Sequence, residues 1–206
     1  MPEPEPEPEP KRLLIIKAST DICATEIGHI VAVAEMFGIK HCTTELTDLG
    51  EFCDNLCTAG HRYDYLYLAT HSDLTGFGES DGSTLIEWER FAETLCTAAC
   101  LNPGSILLLG CCRGGLKKVA NQLFYGCSDI DYVCGPRWTV KDLDISVGFH
   151  IFIYNMEVRN EQPSTAVKRA SKGTGYDFFC HDRVEFEDQY NPGELNYIER
   201  SVGLPR

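Results

Sequence analysis

The chain has 206 residues, 43% of them apolar and 24% charged, which is the make-up of one globular domain able to bury a core. A net charge of -13 argues against nucleic acid as a partner, because phosphate binding needs a basic stripe. No apolar run reaches the ~18 residues of a membrane span, and the N-terminus lacks the apolar stretch of an export signal, so no membrane partner is expected.

Residues 1–10 form a strict Glu-Pro repeat that buries nothing and reads as a solvated tail, with one domain over 11–206. Leu13–Lys17 is a short apolar strand. Thr25–Phe37 places Ile27, Ile30, Val31, Ala34 and Phe37 at helical spacing, and Gly38 ends it. Thr47–Ala59 is a weaker helix, and Tyr63–Thr70 a clear strand. A polar, Gly-rich loop follows from His71 to Ser83. Thr84–Cys100 reads as a helix, with Thr84 as N-cap and Glu87 completing a capping box. Pro103-Gly104 reads as a turn before the most apolar strand, Ser105–Leu109. Gly114–Phe124 is a helix, Tyr132–Gly135 a short strand, and Val140–Val158 and Ser164–Ser171 two further helices. The remainder carries a Pro192-Gly193 turn and no assignable pattern. Alternating strands and helices predict an α/β fold, a three-layer α/β/α sandwich with a mainly parallel sheet.

Eleven cysteines, an odd number without an export signal, argue for free thiols in a reducing cytoplasm. Cys53/Cys57 and Cys96/Cys100 have i, i+4 spacing but lack the knuckles and histidines of a zinc site, so no metal is expected.

Two strands end in reactive residues. One runs into His71, the other into Cys111-Cys112-Arg113-Gly114-Gly115 and a helix. If these strands are parallel neighbours, both side chains reach one sheet edge, and a cysteine beside a histidine there forms a thiolate with a general base. The following helix would favour the thiolate, and the glycines would let a substrate backbone approach. Asp73 is a candidate to orient His71.

Ala69-Thr70-His71 after an apolar strand resembles the histidine motif of caspase-like cysteine proteases. Cys112-Arg113-Gly114 is similar to the caspase nucleophile motif, and the Cys111-Cys112 pair to metacaspases. Trp138-Thr139-Val140-Lys141-Asp142 resembles the Trp-x-Val-x-Asp segment of CHAT and separase domains. Phe149–Asn155 and Ala166–Ala170 echo later helices of the group. The resemblance spans roughly residues 60 to 172 and is closest to CHAT domains. It implies a caspase-like fold and a cysteine endopeptidase without a cofactor, acting on a protein or peptide substrate under a regulatory protein partner. For a small stand-alone chain it also implies a bacterial antiviral defence role. It makes His71 the base and Cys112 the nucleophile, or Cys111 under a separase-like alignment. It assigns the oxyanion to the backbone N–H groups of Cys112 and Ser72, and substrate binding to Asp142, which could alternatively cap a helix. Two positions depart from the pattern: Ser72 stands where the group has Gly, and Gly110 where metacaspases have an acid. Two other readings stay open, a catalytically silent domain of the same fold that binds a protein, and an unrelated flavodoxin-like domain.

Overall fold

The computed structural model describes residues 9–189. The Glu-Pro tail up to residue 8 and the Pro192-Gly193 turn lie outside them. Four consecutive fully buried residues make β1 (Arg12–Lys17) an inner strand. It leads through α1 (Ala24–Met36) to β2 (Lys40–Glu45), then through α2 (Leu49–Ala59) to β3 (Tyr63–Ala69). Three short strands follow, β4 (His71–Ser72), β5 (Gly76–Gly78) and β6 (Leu85–Glu87), then α3 (Trp88–Thr97). The second half runs β7 (Leu101–Gly110), α4 (Lys117–Gly126), β8 (Ile130–Pro136), α5 (Asp142–Glu157), α6 (Pro163–Thr174), β9 (Phe178–Asp182) and α7 (Arg183–Gln189).

The main sheet has the order β2-β1-β3-β7-β8-β9 and is parallel except for the β8–β9 pair. Val33 and Ala34 of α1, Phe149 and Phe152 of α5, and Ala166 and Val167 of α6 pack on one face. Phe52 and Leu56 of α2, Phe91 of α3, Leu123 of α4 and Phe186 of α7 pack on the other. The inner strands are therefore apolar on both sides, which is why they read as continuous hydrophobic runs. The chain reverses its direction of winding between β1 and β3. In a doubly wound sheet, the crevice at that reversal lies beyond the carboxyl ends of those two strands. No helix among the described residues is long and apolar enough to cross a membrane.

One strand was not foreseen and three local expectations are corrected. Lys40–Glu45 is a strand that its polar sequence does not announce, because it is an edge strand with mostly exposed side chains. The loop expected from His71 to Ser83 contains β4 and β5, a hairpin extended by β6. The helix expected from Thr84 begins at Trp88. Leu85–Glu87 pairs with β5 instead, since Ile86 is buried there, and the N-cap Glu87 makes no side-chain cap. Pro103-Gly104 lies within β7, at an irregular start where the pairing register shifts and Gly104 takes a φ of +89°.

Candidate functional site

β3 and β7 are hydrogen-bonded parallel neighbours, with Ala69 opposite Gly110 at their carboxyl ends. His71 and Cys112 each follow two residues later, so they leave the sheet at the same edge and level. The two tips touch, since the Ser72 hydroxyl donates to the Cys112 carbonyl at 2.5 Å.

The two cysteines differ sharply. Cys111 is 1% exposed, and burial pushes its thiol up to about 12. Its sulfur packs behind the turn, close to where a Cβ on Gly114 would fall. Cys112 is only partly buried. The turn is held by Gly114 N–H to the Cys111 carbonyl (3.3 Å) and Leu116 N–H to the Arg113 carbonyl (3.1 Å). Arg113 sits in the left-handed region with φ +63°, a strained conformation for a residue with a Cβ, placed directly after Cys112.

Gly114 and Gly115 serve packing rather than substrate access. A Cβ on Gly115 would lie 2.0 Å from the Gly135 carbonyl oxygen, and one on Gly114 2.7 Å from Leu109 Cβ. The Gly115 N–H donates to the Pro136 carbonyl at 2.9 Å, so the turn is seated on the end of β8. The His181 ring holds it from β9, with Nε2 2.9 Å from the Gly115 carbonyl. α4 opens only at Lys117, five positions beyond Cys112, so its first turn does not abut the thiol as the sequence suggests.

The residue that orients His71 is Asp21, not Asp73. His71 Nε2 lies 2.9 Å from Asp21 Oδ1 in the loop after β1. Asp73 instead closes the hairpin turn, accepting from the N–H groups of Thr75 and Gly76 and from the Thr75 hydroxyl. Asp21 also accepts from the hydroxyls of Ser19 (2.5 Å) and Ser80 (2.7 Å). These bonds, Ser19 first, hold its carboxyl down at about 2, so it is ionised at neutral pH. An ionised carboxylate only accepts, so Nε2 donates to Asp21, and of the two neutral tautomers this contact selects the one with the lone pair on Nδ1. Among the described residues no hydrogen bond joins the His71 ring to either cysteine sulfur. Glu79 completes the arrangement by sharing the single Ser19 hydroxyl proton with Asp21 and by accepting from the Thr20 N–H and hydroxyl, which ties the β5–β6 connection to the end of β1.

The Asp73 N–H donates to the Gly76 carbonyl at 2.9 Å. Hydrogen-bonded pairs alternate along an antiparallel ladder, so the neighbouring Ser72–Phe77 pair is not one, and the Ser72 N–H faces away from β5.

Asp142 is exposed on the first residue of α5. It lines an open cleft of about 680 Å³ between the starts of α1 and α5, together with Cys23, Thr25, Glu26, His29 and Lys141. The Arg113 N–H reaches the Trp138 carbonyl at 3.4 Å, so the segment leading to Asp142 runs beside the Cys112 turn. Cys23 is the exposed N-cap of α1, and the Thr25 hydroxyl, then the N–H groups of Thr25 and Glu26, lower its thiol. Sequence reasoning missed Asp21, Glu26 and Cys23. The available signal was their place in the connection after the first apolar strand, at the reversal of winding. Among the described residues no group of three or more histidines, cysteines or carboxylates is arranged to hold a metal ion. No known family profile matches the chain, and no curated protein matches it.

Proposed function

We propose that the chain is a caspase-like cysteine endopeptidase that uses Cys112 as nucleophile and His71 as general base, with Asp21 orienting the imidazole. The observation that carries this reading is the Ala69–Gly110 register, which delivers a histidine and an accessible cysteine to one edge of adjacent strands. Support also comes from the contrast between a sealed Cys111 and an accessible Cys112, and from the charged partner on Nε2 of His71.

In this reaction Nδ1 of His71 takes the Cys112 thiol proton as the sulfur attacks the scissile carbonyl carbon. The C–N bond breaks, the amine leaves with that proton, and a thioester remains on Cys112. Water then adds, giving its proton to His71, and the C–S bond breaks to release the acid and restore the thiol. Backbone N–H groups of Cys112 and Ser72 stabilise the oxyanion in both halves. Asp21 stabilises the imidazolium that forms between them. The substrate is a protein or peptide, and activation requires His71 and Cys112 to close on each other. A partner bound to the β5–β6 connection would promote that closure, because Ser80 there shares Asp21 with His71.

A second reading, a silent domain that binds a protein through the same edge, is favoured by Ser72, whose hydroxyl ties the two tips together where the related motif has glycine. Digestion of a peptide library by the wild-type chain, Cys112→Ala and His71→Ala separates the two. The protease predicts cleavage by the wild type alone. No cleavage by the wild type, together with a Cys112 that reacts no faster with an alkylating agent than the other accessible cysteines, supports the silent domain; equal cleavage by Cys112→Ala overturns Cys112 as the nucleophile.

A further inference from the structure

Two thiols that the reaction above does not use face each other across the last strand pair. Cys134 of β8 lies directly opposite Cys180 of β9. Both side chains are on the face covered by α5 and α6, Cys134 buried and Cys180 partly buried. The Arg137 N–H donates to the Asp177 carbonyl at 2.8 Å, one position beyond the Pro136–Phe178 pair. Hydrogen-bonded and non-bonded pairs alternate along an antiparallel ladder. Pro136–Phe178 is therefore non-bonded, which suits a residue without an N–H, and so is Cys134–Cys180. Pairs of that kind hold their Cα atoms about 4.5 Å apart with the side chains close, inside the roughly 4.4–6.8 Å that a disulfide spans. The two thiols already meet: burial first, then the hydrogen bond with Cys180, push the Cys134 thiol well above its ordinary range. Beside them a small apolar cavity of about 30 Å³, lined by Leu108, Cys134, Gly135, Val167 and Phe178, leaves the Cys134 sulfur room to turn.

The pair adjoins the seat of the Cys112 turn. Gly135, next to Cys134, meets the backbone of Gly115, and a Cβ on it would fall 2.8 Å from the Gly115 nitrogen. His181, next to Cys180, holds the Gly115 carbonyl from β9. Among the described residues β9 ends the sheet, with β8 as its strand neighbour. A bond between Cys134 and Cys180 would join the two strands on which Gly115 rests.

We propose that Cys134 and Cys180 form a reversible disulfide in the presence of a peroxide, and that this bond fixes the seat of the Cys112 turn. The more accessible Cys180 sulfur attacks one peroxide oxygen, the O–O bond breaks, and hydroxide leaves with the thiol proton as water. The Cys134 sulfur then attacks the sulfur of the Cys180 sulfenic acid, the S–O bond breaks, and hydroxide leaves with the Cys134 proton as a second water. The two thiols together lose two electrons, and hydrogen peroxide is reduced to two waters. A dithiol reverses the bond by exchange. Cys96 on α3 and Cys127 after α4 also meet, but no strand register sets their spacing.

The test uses the full chain as Cys112→Ala, so that neither catalysis nor oxidation of Cys112 enters and the result is independent of the protease reading. Hydrogen peroxide is added, the remaining thiols are capped, and disulfides are mapped by mass spectrometry. Amide hydrogen exchange is followed at Gly115, whose N–H donates to the Pro136 carbonyl. The expected result is a Cys134–Cys180 bond that dithiothreitol reverses, with Gly115 exchange slowed by about threefold or more while the bond is present. Cys180→Ser should show neither change, and Cys180→Ala serves if the serine variant does not fold. Oxidation of the exposed cysteines without this bond, or a bond that maps only to Cys96 and Cys127, overturns the proposal. So does a Cys134–Cys180 bond that leaves Gly115 exchange unchanged, or a slowing that survives in Cys180→Ser.

Discussion

His71 has a carboxylate 2.9 Å from Nε2, and this contact decides which ring nitrogen can act as a base. Replacing Asp21 with Asn removes the charge that stabilises the imidazolium and lets the opposite tautomer form. Peptide cleavage by Asp21→Asn should fall by about tenfold or more, a discounted figure because the pair is half exposed. The pH dependence has a definite sign. The Asp21 carboxyl is lowered from 3.8 to about 2, so its contribution to stability is complete above the unfolded value and is lost as pH falls through about 2. That His71 and Cys112 lie at one sheet edge was legible in the sequence because each follows a conspicuous apolar strand. Asp21 was not, because Ser19-Thr20-Asp21 is an ordinary polar connection and its partner Ser80 is 59 positions away. Glu26 was hidden for a different reason. A glutamate in the first turn of a helix is ordinary dipole compensation, and only the fold buries it beneath Tyr67.

At the scale of elements, the Cys112 turn is a packed object rather than a free loop. Gly115 and Gly135 touch through their backbones, and no side chain fits between β7's exit and the end of β8. Gly115→Ala should therefore destabilise the fold by roughly 2 kcal/mol or more and slow Cys112 chemistry even in molecules that remain folded. Thermal unfolding together with the cleavage rate checks both parts, and a variant of unchanged Tm would show that the turn has room. The histidine side is built similarly. Phe77 is fully buried against Trp88 and Phe91, with centroids 4.9 and 5.0 Å apart, so the hairpin is anchored to α3. That hairpin was read as loop because it is short and glycine-rich, and β6 was read as helix because local capping signals resembled a helix start. Tertiary burial of Ile86 outweighed those signals. The long inner strands were legible because burial on both faces forces an uninterrupted apolar run.

For the whole molecule, one buried carboxyl sets a slope in stability against pH. The Glu26 carboxyl is raised from 4.5 to about 7, so the folded state binds more protons than the unfolded state across that interval. Its contribution falls as pH rises through the window, by up to roughly 3 kcal/mol. Glu26→Gln should remove the slope and be more stable than the wild type at pH 8, read by denaturant unfolding at several pH values. The α/β class and the parallel sheet followed from the alternation of elements. The strand order and the antiparallel β8–β9 pair did not, since β9 lies in a mixed aromatic and acidic stretch whose pairing depends on contacts far along the chain.

The central claim is that His71 activates Cys112, and the rate of alkylation at Cys112 at neutral pH tests it directly. Cys23 is exposed and has a lowered thiol, so the measurement belongs in a Cys23→Ser background, with the modified cysteine identified by mass spectrometry. The account predicts modification of Cys112 faster than that of the other accessible cysteines, and loss of that advantage in His71→Ala. A Cys112 that reacts no faster than the other accessible cysteines, or whose rate is indifferent to His71→Ala, would contradict it.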